Sequence, residues 1–375
     1  MSTYNTSNNF AKLDRAEECV LALRALYESF GYKKYRMNKF EEYSFYIANR
    51  KFLQNEQFIS FTDMDGRLLA LKPDITLSIV KNSDIGGANS RVYYDESVYR
   101  VSKKTGTYKE SGQLGLEFLG RIDAYNIYEA LYLANKSLET IDADYCLDVS
   151  HIGFVFGALG GLPLNFNDKN RVLDCLKAKN IPELAGVLDS AGATGEQKNL
   201  LAGIIGLGGK IGNAIPKAKA LIQNKMMGDA VAELETVHEM LRPSVDTDKI
   251  RLDFSVLNDT EYYNGLLFNG YIKGVSEIAL VGGRYDELLS KIGKADLQGI
   301  GFAINFDSLE RFLNKPCPGY ADTLILYSEK SDFNAADAFA AVRDAAMKEI
   351  SEGRSVVCEK SLPKELDYGK LVDLR

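Results

Sequence analysis

From Phe58 to Phe306 the chain is a succession of short strand patterns interrupted by one long block without strand character, and that interruption limits what it can fold into. The block, Asp168 to Leu241, is rich in Ala, Leu, Lys and Glu and is broken by Gly206, Gly208 and Gly209. It reads as a helical insertion whose glycine-rich stretch is an inter-helix turn. Before it lie a hairpin over Phe58–Leu71, turning at Asp65-Gly66, and strands over Arg91–Val101, Gln113–Gly120 and Tyr145–Val149. After it lie strands over Arg251–Phe254, Leu266–Lys273, Ile278–Val281 and Ile300–Phe306. Apolar spacing predicts helices over Asp14–Phe30, Ile75–Lys81, Asp123–Thr140, Leu288–Ile292 and Asp307–Leu313, and Tyr32–Phe45 reads as extended. Strand runs with helices outside them predict an α+β fold with a mostly antiparallel sheet flanked by helices. The expected divisions are a frayed tail over 1–10, a core over 11–166 and 246–315, the insertion over 167–245, a linker at Cys317-Pro318-Gly319, and a small strand-helix-strand α/β unit over 319–375.

Composition removes several function classes. The 375 residues carry 45 basic and 52 acidic side chains, a net charge of −7, with no polybasic block. This balance argues against a nucleic-acid partner, which usually requires a basic stripe. Five widely spaced cysteines and two histidines, His151 and His238, support neither a disulfide framework nor a zinc site, so no metal or cofactor is expected. No run approaches 18 apolar residues and the N-terminus is polar, so no membrane partner is expected and the cytoplasm is the default location.

Four short motifs could carry chemistry. In Gln113-Leu114-Gly115-Leu116-Glu117 alternation puts Gln113, Gly115 and Glu117 on one strand face. That face is either a solvated one with a bulge glycine or the wall of a small polar pocket. Tyr262-Tyr263-Asn264-Gly265 offers two phenols beside a turn, in a chain with 21 tyrosines. Gly282-Gly283-Arg284-Tyr285-Asp286 reads as a tight strand-to-helix turn, with Arg284 either paired locally to Asp286 or facing an anion. In Lys72-Pro73-Asp74-Ile75-Thr76, Asp74 and Thr76 stand where a helix N-cap belongs, so capping is the leading reading, and a carboxylate there could instead bind an α-ammonium group.

The order of these motifs, with Val98-Tyr99-Arg100 and Gly301-Phe302-Ala303-Ile304, resembles the catalytic core of histidyl-tRNA synthetase from about Asp14 to Leu313. The resemblance implies a class II synthetase fold, normally dimeric. It also implies a histidine pocket lined by Asp74, Thr76, Arg100, Gln113, Glu117, Tyr262, Tyr263 and Tyr285. An acidic pair would serve the ammonium and the imidazole, an amide would orient the ligand, and phenols would give directional bonds.

The catalytic half departs from that pattern. Ser102 stands where motif 2 carries a glutamate, and Thr107 where an arginine is usual. Asn258 and Ser308 replace the arginines before the Tyr-Tyr pair and in motif 3, and Asn38 replaces the motif 1 proline. Adenylation builds charge on phosphates, and losing one such donor costs about 10²–10³ in rate. A tail of about 55 residues is also too short for the usual anticodon-binding domain. A synthetase-like chain that keeps the pocket and loses this machinery resembles the regulatory-subunit family of ATP phosphoribosyltransferase. That resemblance implies no catalysis of its own and a short-form catalytic subunit as partner. It also implies L-histidine as feedback effector and a homodimer within a hetero-oligomer. The alternatives are a divergent histidyl-tRNA synthetase, or a synthetase paralogue recruited to another amino-acid-dependent role.

Overall fold

The computed structural model describes residues 13–53, 58–83, 89–101, 106–257, 262–313, 319–328, 336–364 and 366–375. The expected tail over 1–10 lies outside these residues, as do Ser102, Asn258 and the linker residues Cys317 and Pro318. The chain divides into two compact units, one of residues 19–312 and one of 1–18 with 313–375.

The larger unit is built on a nine-stranded sheet. From one edge its strands are Lys33–Lys34, Ser90–Val101, Tyr108–Gly120, Gln298–Asn305, Leu280–Arg284, Leu266–Ile272, Tyr145–His151, Ile250–Asp253 and Gly208–Lys210. Six of its eight pairings are antiparallel; Lys33–Lys34 with Ser90–Val101 and Tyr145–His151 with Ile250–Asp253 are parallel. The expected α+β class with a mostly antiparallel sheet is therefore what the chain forms. A second, three-stranded antiparallel sheet joins Phe40–Glu42, Leu68–Leu71 and Ser60–Thr62, the last two being the expected hairpin.

Helix Ala124–Ile141 begins where Asp123 and Asn126 cap it reciprocally, and it buries a stripe including Ile127, Leu131, Leu138 and Ile141. The block without strand character forms helices Phe166–Ala178, Ile181–Ser190, Gly195–Gly206, Ile211–Ala220 and Lys225–Leu241. Asn165, Asn180, Thr194 and Asn224 cap four of them with side-chain oxygens.

Three local readings need correction. Gly208–Lys210 is not merely a turn: it pairs antiparallel with Ile250–Asp253 as the last strand of the sheet, and a three-residue strand is too short to leave a pattern. The extended reading of Tyr32–Phe45 fails at Tyr43, where helix Tyr43–Ala48 starts; its aromatic side chains fit a helix packed on one side as well as a strand. Gly282 and Gly283 sit inside strand Leu280–Arg284, not in a turn after it. A Cβ at Gly282 would lie 2.4 Å from the Phe268 ring and 2.6 Å from Phe302 Cβ, so the position is glycine because two phenylalanines close over it.

The C-terminal sheet has three parallel strands, Gly319–Tyr327 between Val356–Glu359 and Leu366–Leu374, with helix Ala336–Ser351. Leu366–Leu374 is an addition to the expected strand-helix-strand unit; its mostly exposed residues lack the alternation that marks a half-buried strand. Glu349 of the helix fastens this unit, accepting from Thr323 Oγ1 at 2.9 Å, Arg354 Nε at 2.6 Å and Lys370 Nζ at 2.7 Å.

Replacing Gly282 by alanine should overpack the sheet and destabilise the chain by about 1–3 kcal/mol. Urea unfolding of Gly282→Ala should show a lower midpoint at an unchanged m-value; a midpoint equal to the parent's would contradict this packing.

Candidate functional site

One face of the sheet is paved with short side chains where three strands meet. Register places Glu117 opposite Gly301 and Gly301 opposite Gly283; it places Gly115 opposite Ala303 and Ala303 opposite Val281. With so little bulk on the floor, a cavity of about 320 Å³ remains above it. All eight residues expected at a pocket line this cavity: Asp74, Thr76, Arg100, Gln113, Glu117, Tyr262, Tyr263 and Tyr285. They come from five stretches of sequence, and the sheet register and one helix end help bring them together.

That helix, Ile75–Asn82, presents Asp74 and Thr76. Asp74 caps it, its Oδ1 accepting from the Leu77 N–H at 2.7 Å. The far end is held by Lys294, whose ammonium donates to the carbonyls of Val80 at 2.5 Å and of Ser83. Lys72, fully buried, pairs with Glu96 at 3.0 Å and anchors the approach to the helix. Arg100 reaches across, its Nε donating to the Pro73 carbonyl at 2.9 Å, so its guanidinium is fixed at the cavity wall. Capping and pocket lining, open alternatives for Asp74 in the sequence, are both present.

Glu117 is the centre of the polar arrangement. It is only 2% exposed. Thr76 Oγ1 donates to its Oε1 at 2.6 Å and the Tyr285 hydroxyl to its Oε2 at 2.5 Å. A Cβ at position 301 would lie 1.9 Å from Oε2, so the carboxylate occupies space that only a glycine leaves. Burial pushes the Glu117 carboxyl up to about 8, with Asp74 adding to the rise and the two hydroxyl bonds opposing it. Above it Tyr262 packs against Tyr263 at 4.7 Å, Tyr285 at 5.8 Å and Phe52 at 6.4 Å between ring centres. Burial holds the Tyr262 and Tyr285 hydroxyls well above the ordinary phenol range, so both stay protonated donors.

Arg284, the remaining charged residue of the glycine-arginine motif, takes the local alternative. Its Nε donates to Asp286 Oδ2 at 2.8 Å, and its Nη1 lies 3.9 Å from Glu233 of the Lys225–Leu241 helix. Glu233 also meets His151 Nε2 at 3.2 Å, while His151 Nδ1 accepts from the Gly153 N–H and caps helix Ile152–Leu159. Sequence reasoning missed Phe52, Leu53 and Tyr94 of the cavity wall. Tyr94 carried no signal of its own in the sequence; only the register, which sets it opposite Gly115, brings it to the cavity. Among the described residues no group of three or more His, Cys, Asp or Glu could hold a metal ion, and no helix is long and apolar enough to cross a membrane.

The histidyl-tRNA synthetase family model matches residues 9–309. The ATP phosphoribosyltransferase regulatory subunit of Oceanobacillus iheyensis is 26% identical over 306 residues, covering 80% of this chain and 75% of that one. Among solved structures, an ATP phosphoribosyltransferase regulatory subunit/histidyl-tRNA synthetase from Bacillus halodurans superposes with a TM-score of 0.76 at 23% identity, covering 100% of this chain and 99% of that one. A chain of the ATP phosphoribosyl transferase (HisG:HisZ) complex from Thermotoga maritima superposes at 0.62 with 19% identity, covering 79% of this chain and 98% of that one.

The raised Glu117 pKa has a defined consequence for stability. The folded state holds this proton more tightly than the unfolded state, so Glu117 costs stability progressively as pH rises from its ordinary value of 4.5 to about 8. Glu117→Gln removes this dependence. Relative to the parent, the variant should therefore gain stability between pH 4.5 and pH 8, read as the difference of urea midpoints. A difference that stays flat across this window would rule out an uncharged, buried Glu117.

Proposed function

The chain belongs to the histidyl-tRNA synthetase family, and from that premise we propose that it is a non-catalytic regulatory subunit of ATP phosphoribosyltransferase. On this reading it binds free L-histidine, assembles with a short-form catalytic subunit, activates it and confers feedback inhibition by histidine. One observation carries the proposal: one cavity is lined by all eight residues expected at an amino-acid pocket, while Arg100 is the sole Lys or Arg among the described residues lining it. Adenylating an amino acid requires several cations on the phosphates. Asn258 and Ser308 supply none in the sequence.

Asp74 and Glu117 take the ammonium and the imidazole, Gln113 orients the ligand, and Arg100 faces its carboxylate. Thr76, Tyr262, Tyr263 and Tyr285 hold these groups in place or bond the ligand directly. The core over 11–166 and 246–315 carries this pocket, with the insertion over 167–245 and the unit over 319–375 as its appendages. The names of similar proteins support the regulatory role, and the Thermotoga maritima complex supports a catalytic partner. Feedback requires only that histidine prefer one of two states of the complex. A coupling of about 1–3 kcal/mol is typical, and it acts equally on histidine binding and on the active state.

Calorimetry should show the chain binding free L-histidine without ATP. Glu117→Ala should weaken that binding by about 1.5–3 kcal/mol, the range of a hydrogen bond to a charged group. Histidine-dependent pyrophosphate–ATP exchange should stay at background; robust exchange abolished by Arg100→Ala would identify a synthetase instead. Mixed with a short ATP phosphoribosyltransferase subunit, the chain should co-elute in light-scattering chromatography and raise its turnover, and histidine should reverse the increase. Two separate peaks and an indifferent turnover would refute the regulatory reading.

A further inference from the structure

Buried tyrosines in this chain follow a rule with one exception. Five are less than 2% exposed: Tyr27, Tyr46, Tyr93, Tyr94 and Tyr285. Four place the hydroxyl on a partner: Tyr27 on Ser137 at 2.9 Å, Tyr46 on Ser78 at 3.3 Å, Tyr93 on Glu28 at 2.5 Å and Tyr285 on Glu117 at 2.5 Å. This is ordinary, because a phenol taken out of water without a hydrogen bond loses more than its ring gains. Tyr94 is 1% exposed and makes no hydrogen bond to a described residue, yet its hydroxyl is not among the sealed polar atoms of the chain: the little surface it keeps opens to the cavity.

The hydroxyl does not end in apolar core. Tyr94 stands opposite Gly115, and its ring crosses the space a side chain there would fill: a Cβ at position 115 would lie 2.5 Å from the Tyr94 oxygen. By crossing it Tyr94 reaches the cavity, whose wall it forms with Glu117 and Asp74. Those two carboxyls are the charged groups that act most strongly on it, and together with burial they keep its proton in place. Glu117 accepts one hydroxyl on each oxygen, from Thr76 and Tyr285, and no hydrogen bond joins it to Tyr94. A ligand atom facing Glu117, Asp74 and an unpartnered phenol together is best matched by nitrogen, which can donate to the acidic pair or accept the phenol proton.

We propose that Tyr94 is a further ligand-binding residue, whose hydroxyl hydrogen-bonds a nitrogen of the bound amino acid and selects it against an apolar ring of similar shape. This rests on the cavity being the histidine site. Gly115 is then part of the same device, since any side chain there would push the phenol away. A site built to bond a polar group rejects the analogue lacking it, because its own buried group is left unpaired.

The test compares the full-length parent with Tyr94→Phe, using L-histidine and L-phenylalanine as probes in calorimetry and competition. Removing an oxygen that has no protein partner should leave the thermal midpoint unchanged or higher. The same change should weaken histidine binding by about 3- to 10-fold, the worth of one neutral hydrogen bond. It should also shrink the preference for histidine over phenylalanine by a similar factor. Unchanged affinity and preference in Tyr94→Phe, with the parent binding histidine, would overturn this inference alone. A lower midpoint with an unchanged preference would also overturn it, by marking Tyr94 as packing. A parent that binds no histidine, alone or with its catalytic subunit, would overturn the histidine reading and this inference with it.

Discussion

A carboxyl group buried without a cation beside it is expensive to ionise, and the larger unit is organised around one. Glu117 fits because position 301, its cross-strand neighbour, has no side chain, and it is held because Thr76 and Tyr285 donate to its two oxygens. Each support draws in further structure. Thr76 requires the Ile75–Asn82 helix to start where Asp74 caps it. Tyr285 requires the Leu280–Arg284 strand to end where it does, with Asp286 Oδ1 accepting from the Gly299 N–H at 3.2 Å. One strained electrostatic requirement thus fixes the relative positions of a strand, a helix start and a strand end. Burial alone would leave them less tightly specified.

Much of this was legible in the sequence because it rests on alternation and capping, both local. The two-residue period of Gln113, Gly115 and Glu117 gave the face, and the Asp74 cap gave the helix start. What was not legible depends on neighbours distant in sequence. Gly282 and Gly283 look like a turn until Phe268, Phe302 and Tyr263 are placed against them, because a glycine required by a close approach and one required by a turn have the same letter. Tyr94 was one tyrosine among 21 until the register set it opposite Gly115. The last C-terminal strand went unread because little of Leu366–Leu374 is buried, so selection for alternation is weak there.

The cavity is built from the sheet floor, one helix end and a phenol cluster whose Tyr262, Tyr263 and Tyr285 lie outside the strands and helices. Phosphate chemistry would add cations around that floor, and in this chain those positions are not cationic in the sequence. An uncharged Glu117 suits a resident pocket that must stay folded while empty, because neutralising the acid limits the cost of desolvating it.

Lys294 has a mechanical meaning beyond its capping of carbonyls. The Ile75–Asn82 helix has eight residues and so is a rod of about 12 Å. Lys294 grips one end, through Val80 and Ser83, and Thr76 touches Glu117 at the other. A stiff rod fixed at both ends cannot absorb a displacement in its middle. The turn after helix Asp286–Lys291 and the buried Glu117 are thus joined through one short helix, by Lys294 at one end and Thr76 at the other.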